Sequence, residues 1–136
     1  MKALLLAIQT RLRRITGVRD SDVFLTPDPD IIPGKKSFPC IGLKDGRVGR
    51  TDLAGGFREL SLPVEIYVYE KLIKDDAAIL SVFDVAKDIH DELKDHLFDG
   101  YVKEVSDGDE GPIQLLYRKD ELILRKKIDY EYAREE

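Results

Sequence analysis

One cysteine, two histidines and no long apolar run leave this sequence short of what disulfide scaffolds, metal sites and membrane spans are made from. Cys40 has no second thiol in the chain to pair with, so no intrachain disulfide forms and nothing points to an oxidising compartment. With neither histidine near it in sequence, Cys40 reads as a small buried apolar side chain, not a nucleophile. The apolar opening at residues 2–8 is broken by Gln9 and Arg11, well short of the roughly 20 residues a membrane helix needs. No small-residue cleavage site follows it. Internal repeats and low-complexity segments are also missing.

What remains is 136 residues, 43% of them hydrophobic, enough for one core and a single domain spanning 1–136. A net charge of −5 argues against a protein that coats nucleic acid, because phosphate neutralisation dominates that affinity. The charge is unevenly spread. Residues 1–58 carry 11 Lys and Arg against 6 Asp, whereas residues 59–136 carry 11 against 21 acids. A folded chain interleaves its halves, and internal pairing accounts for much of such asymmetry. The sharper reading is a basic surface on one copy meeting an acidic surface on the next, as in a head-to-tail ring.

Leu4, Ile8, Leu12 and Ile15 recur at helical spacing with Gly17 behind them, which predicts an amphipathic N-terminal helix. Residues 20–37, with three prolines and four aspartates, predict a long loop. A short strand is expected at 38–43, closed by Lys44-Asp45-Gly46. The segment 44–58, with four glycines and Arg47, Arg50 and Arg58, is expected to be a mobile connection. From Leu60 the pattern alternates: Leu60, Leu62, Val64, Ile66 and Val68 on one face, Ser61, Pro63, Glu65, Tyr67 and Tyr69 on the other. Pro63 marks an edge or bulge. A long helix is expected at 75–97, with Ile79, Val82, Phe83, Ala86, Ile89, Leu93 and Leu97 on its buried face. Strands follow at 101–105 and 113–117, paired as a hairpin across a polar turn at 106–111, and a last strand at 122–132. The fold class is α+β, a mostly antiparallel sheet flanked by two helices, both on one face.

No constellation carries obvious chemistry. His90 and His96, six apart on a helix, diverge by about 120°, unlike the i, i+4 pair of a zinc protease. Asp107 and Asp109 begin a twelve-residue calcium frame that ends on Arg118, where a bidentate carboxylate is required. A metal-dependent nuclease would need an acid and a lysine one residue apart on a strand, after Pro27-Asp28 or Pro29-Asp30, but Glu70 and Lys71 are adjacent and point to opposite faces. Glu92 and Lys94 have that spacing on a helix. No cofactor motif, phosphate-binding glycine loop or nucleophile elbow is present. The basic glycine-rich segment offers only Phe57 for base stacking, so it reads better as a segment that docks on a protein. Arg47, Arg50, Phe57 and Arg58, with Glu65 and Tyr67 from the outward strand face, form the candidate subunit interface.

Taken together, the helix at 4–15, the proline-rich link, the strand at 38–43, the glycine-rich connection, Glu59-Leu60-Ser61-Leu62-Pro63-Val64-Glu65-Ile66-Tyr67-Val68-Tyr69, the helix at 79–97 and the closing strand at 122–132 resemble the tail-terminator proteins of long-tailed bacteriophages, also described as minor tail or tail-to-head joining proteins. The resemblance implies a ring of six subunits on the head-proximal end of the tail tube. Such a ring ends tube growth and offers a docking surface to the head. It implies a homo-oligomer with tail-tube and head-completion or connector partners, located in the virion tail after assembly in the host cytoplasm. It implies no enzyme activity, cofactor, membrane partner or sequence-specific nucleic-acid binding. A neighbouring neck or completion protein, an adaptor domain encoded by the host and a small nuclease are the alternatives.

Overall fold

The computed structural model describes residues 1–73, 75–94, 96, 98, 100–103 and 108–135. Among these the order is α1 (Lys2–Leu12), β1 (Val23–Leu25), β2 (Cys40–Asp45), β3 (Gly49–Asp52), β4 (Arg58–Lys71), α2 (Asp75–Leu93), β5 (Val102–Lys103), β6 (Asp109–Glu110), β7 (Gln114–Arg118) and β8 (Glu121–Glu135). One sheet holds all the strands, in the order β1-β2-β4-β8-β5, with β3 also on β4 and with β6 and β7 also on β8. Every pairing is antiparallel except that of β1 with β2. The α+β class with two helices on one face is what the chain adopts.

The spine is the β4–β8 ladder, in register from Glu59 opposite Glu135 to Lys71 opposite Ile123. Alternation sends Leu62, Val64, Ile66 and Val68 of β4, with Leu124, Ile128, Tyr130 and Tyr132 of β8, toward the helices. There they meet Leu4, Ile8 and Leu12 of α1 and Val82, Ala86, Ile89 and Leu93 of α2 in one core. Arg11 of α1 ties the helices together through Glu92 of α2, at 3.0 Å. Lys126 also faces this side. It stays buried by donating to the Gly111 carbonyl at 2.7 Å and lying 3.5 Å from Glu110.

The opposite sheet face has a smaller core of its own. Phe24, Ile32, Cys40, Tyr67, Tyr69 and Ile123 cluster there, with Phe38 and Leu116 against them. The proline-rich loop folds over that face, the Tyr69 hydroxyl donating to the Pro29 carbonyl at 2.7 Å and Arg125 pairing with Asp30. Its far end is fixed where the Ser37 N–H donates to buried Asp22 at 3.1 Å.

Several expectations need correcting. The span 20–37 is not all loop, since β1 pairs with β2 there. The segment 44–58 holds regular structure: β2 runs to Asp45, β3 pairs with the start of β4, and a 3-10 turn at Ala54–Gly56 joins them. Strand β7 pairs with β8 and not with β5, which joins β8 near its far end; residues 104–107 of the expected strand and turn lie outside the described residues. Helix α2 stops at Leu93, so His96 is not helical, and Leu97 lies outside the described residues. Just past that end Phe98 turns inward, its ring edge-on to Tyr132 at 5.6 Å. Ile79 and Phe83 are exposed, because the buried stripe runs through Ala78, Val82, Val85, Ala86 and Ile89.

The edge or bulge expected at Pro63 is instead a gap between partners. Its carbonyl accepts the Gly46 N–H at 2.8 Å, on the side away from Glu131 of β8. The missing N–H therefore faces the place where β2 gives way to β3, and β8 loses no ladder bond. Gly46 is needed for this approach, because a Cβ there would sit 2.8 Å from that of Pro63.

Candidate interaction surface

Four of the six candidate interface residues lie together, on or just before an arm formed by β3, the 3-10 turn and the first residues of β4, where β8 also pairs from Glu59 onward. Arg50 is opposite Leu60 in the ladder and Arg58 closes it, pairing with Asp52 at 3.1 Å. Arg47 is exposed on the way in. At the tip the Leu53 N–H donates to the Phe57 carbonyl at 2.7 Å. Gly55 turns there with φ +80°, leaving room for the Phe57 ring, 3.4 Å from where a Cβ would stand. Phe57 is 54% exposed, and Leu53 beside it is also open. An aromatic and an aliphatic side chain held in solvent among three arginines are suited to a protein partner.

The other two candidates belong elsewhere. Tyr67 is 5% exposed and sits in the second core, so it offers no surface to a neighbour. Its hydroxyl donates to Glu65 at 2.7 Å. Glu65 also pairs with Lys127 at 3.1 Å and Lys44 at 3.7 Å, a network internal to the chain. Burial works against the charge on Glu65, but the Tyr67 hydroxyl and the Lys127 ammonium outweigh it and hold the carboxyl below its usual range. Burial, and after it the hydrogen bond to Glu65 and that carboxylate's charge, raise the Tyr67 hydroxyl above its usual value.

These shifts have a consequence in acid. Asp22 is also held low, chiefly by the Arg19 hydrogen bond at 2.9 Å, against the opposing effect of burial. For both acids the folded state binds its proton less readily than the unfolded chain. The stability they contribute is therefore present above the ordinary carboxyl values and lost as pH falls through the lower folded ones. Urea midpoints measured from about pH 5 downward should drop. In a Glu65→Gln/Asp22→Asn double variant the drop should be shallower. Equal slopes would mean these two carboxylates carry none of the acid sensitivity.

A second exposed region, not among the six candidates, lies at the other end of β4. Leu115 and Tyr117 of β7 pair with Leu124 and Leu122, so they stand on the helix-bearing sheet face. Among the described residues no helix covers that strip: Tyr117 is 75% exposed, and Leu115 and Leu122 are open. On α2, Ile79, Leu80 and Phe83 are exposed, and Phe83 lies under Lys126 of β8 at 5.2 Å. Next to it a hollow of about 310 Å³ is lined by Lys71, Leu72, Ile73, Asp120, Glu121 and Leu122. Ile73 is 82% exposed. The available signal was the breadth of the apolar stripe on α2, which adds Ile79, Leu80 and Phe83 to a face already filled by Ala78, Val82, Val85 and Ala86.

The residues considered for chemistry are engaged structurally. Because a carboxylate only accepts, His90 donates from Nε2 to Glu110 at 3.1 Å; in the neutral ring Nδ1 then accepts from the Tyr130 hydroxyl at 2.6 Å. His96 stands edge-on to Phe98 at 4.6 Å. Glu70 accepts from the Ser81 hydroxyl at 2.8 Å on the helix side, while Lys71 lies over Phe38 on the opposite face and pairs with Glu121 at 3.0 Å. Cys40 is buried, and desolvation pushes its thiol up to about 12. Among the described residues no three His, Cys, Asp or Glu side chains are grouped to hold a metal ion, and no helix is long and apolar enough to cross a membrane. Compared with protein-family models and with curated proteins, the chain matches none.

Proposed function

We propose that this chain is an assembly subunit, working as a tail-terminator-like protein that associates with copies of itself into a ring, caps a tail tube and presents a surface to the head. The observation that supports the reading best is the pair of exposed apolar regions at opposite ends of β4, the arm tip and the α2–β7 strip. Two separate sticky surfaces on one small domain suit a subunit that contacts neighbours on two sides. The charge distribution agrees with this, since the arm is basic and α2 carries six acids against one lysine. The resemblance of element order to tail terminators adds the biological setting.

The test is sedimentation of the full chain at low and high salt, with electron microscopy of the oligomer, for the wild type and for a triple Arg47→Glu, Arg50→Glu, Arg58→Glu variant. Rings are expected for the wild type at low salt. Their dissociation with salt follows from screening of rim charges over about 8 to 10 Å. The triple variant should keep its circular dichroism spectrum and lose the ring. Wild type remaining monomeric at every concentration, also when co-expressed with the tail-tube protein of the same genome, overturns the reading.

A further inference from the structure

We infer that the outer edge of strand β7 pairs with the same edge of a second copy of this chain, antiparallel and centred on Leu116, so that two sheets join into one. The inference goes beyond the assembly reading and does not depend on it. This contact is two-fold, whereas a ring is closed by a heterologous one.

Backbone geometry carries the first step. The Leu72 N–H, just past β4, donates to the Leu122 carbonyl at 3.0 Å, so Leu122 turns its backbone toward β4. Tyr117 lies opposite Leu122 in the β7–β8 ladder and therefore turns its own N–H and C=O the other way, to the outside of the sheet. Leu115, two residues earlier, does the same. Among the described residues no strand pairs with that side of β7.

The other edges of the sheet are blunted. In β1 the Val23 carbonyl accepts from the Gln9 side chain at 2.9 Å and from Arg13 at 3.4 Å. Strand β3 is Gly-Arg-Thr-Asp, and β5 and β6 have two residues each. Short strands, charge and capped carbonyls are the devices that keep sheet edges from pairing with one another. Strand β7 has five residues with Leu-Leu-Tyr at its centre and none of these devices there.

The edge also matches itself, which selects a second copy as the occupant. Pro112, which has no N–H, and the turn at Lys119, with φ +52°, bound β7 on either side. The antiparallel register that overlaps all five residues puts Leu115 of each copy opposite Tyr117 of the other, and their outward N–H and C=O groups meet in four hydrogen bonds. Leu115 and Tyr117, 53% and 75% exposed, then form two aliphatic–aromatic pairs on the helix-bearing face. On the other face Leu116 meets its equivalent, and Arg118 stands opposite Gln114, so no charge is directly opposite a like charge. Arg118 keeps Glu121 of its own chain at 3.5 Å. A five-residue edge is small beside the roughly 1,600 Å² of a standard interface, so the pair is reversible and its population grows with concentration.

Two variants leave the internal ladder of β7 intact. Tyr117→Pro removes only an outward N–H, and Tyr117→Lys places a charge at the open edge. Sedimentation at high salt, over a range of concentrations, should show a monomer–dimer equilibrium for the wild type. Each variant, with an unchanged circular dichroism spectrum, should dimerise at least about tenfold more weakly. Oxidation then reads the register, the native Cys40 being buried. Leu116→Cys chains should form covalent dimers, because facing residues of a non-hydrogen-bonded pair are about 4.5 Å apart; Leu115→Cys chains, offset from each other by two residues, should not. Wild type that never dimerises, or dimers that neither Tyr117 variant weakens, overturn the inference. Rings that form without Leu116→Cys dimers overturn it too and leave the assembly reading standing, whereas trapped dimers without rings support the edge contact alone.

Discussion

Ile66→Ala is expected to destabilise the fold by about 3 kcal/mol, and Glu65→Ala, one residue away, by about 1 kcal/mol. Ile66 is fully buried and lies opposite Ile128 in the central ladder, with the helices above it. Truncation removes its transfer energy and leaves a cavity that β4, held by partners on both sides, cannot collapse to fill. Glu65 is on the other face. Its loss frees Lys44 and Lys127 to hydrate and leaves the Tyr67 hydroxyl without its acceptor, a moderate cost because the site borders solvent. Urea unfolding followed by circular dichroism separates the two. Equal losses would show that the packing of β4 against the helices is not what holds the domain together.

The part of the fold that could be read in advance is the part governed by simple periods. Residues 60–68 alternate cleanly because one side of β4 meets the helices, and the 4, 8, 12 spacing of α1 is equally direct. The second core escaped this logic. Tyr67 and Tyr69 have polar tips and sit on the nominally outward face, so alternation assigns them to solvent; the proline-rich loop, which has no period of its own, helps to cover them. Strand β3 escaped for a related reason. Its sequence Gly-Arg-Thr-Asp has no apolar alternation and only Thr51 as a strand former, and its conformation is supplied by pairing with β4. A hairpin of β5 with β7 is the simplest expectation for neighbouring segments, and the chain departs from it. The nearer partner is β8, across a tight connection in which Lys119 takes φ +52°.

The candidate interface was legible where charge and glycine marked the arm and illegible where burial decided. Arg47, Arg50, Phe57 and Arg58 are exposed together, as their sequence proximity allows. Tyr67 fails because exposure on a strand depends on what lies over the sheet, a long-range property. The exposed flank of α2 is hidden in an apolar stripe whose spacing predicts burial throughout. A helix of 3.6 residues per turn lying on a sheet with one flank open cannot bury residues 79, 82, 83 and 86 alike, so Ile79 and Phe83 remain at the flank.

The largest backbone effect is expected at Gly108→Ala, about 3 kcal/mol, against about 1 to 2 kcal/mol for Gly17→Ala. Both glycines have positive φ, +79° and +93°, where an L side chain is strained. Nothing lies within 4 Å of a Cβ added at Gly17, so that variant reports the backbone strain alone. At Gly108 the added carbon would stand 2.5 Å from the His90 ring and 3.0 Å from the Tyr130 hydroxyl. The ring cannot swing aside without giving up its bonds to Tyr130 and Glu110, which join α2 to β8 and β6. The Gly108 N–H also donates to the Asp129 carbonyl at 2.9 Å, so the backbone has little freedom to withdraw. Removing the ring should relieve the clash: in a His90→Ala background, Gly108→Ala should cost about 1 to 2 kcal/mol, the strain seen at Gly17. Urea unfolding of the two single variants and the double variant gives the coupling directly. If the double variant loses as much as the two single variants summed, the His90 ring is not what excludes a side chain at position 108, and the contact between α2 and the β6–β8 edge is looser than this geometry requires.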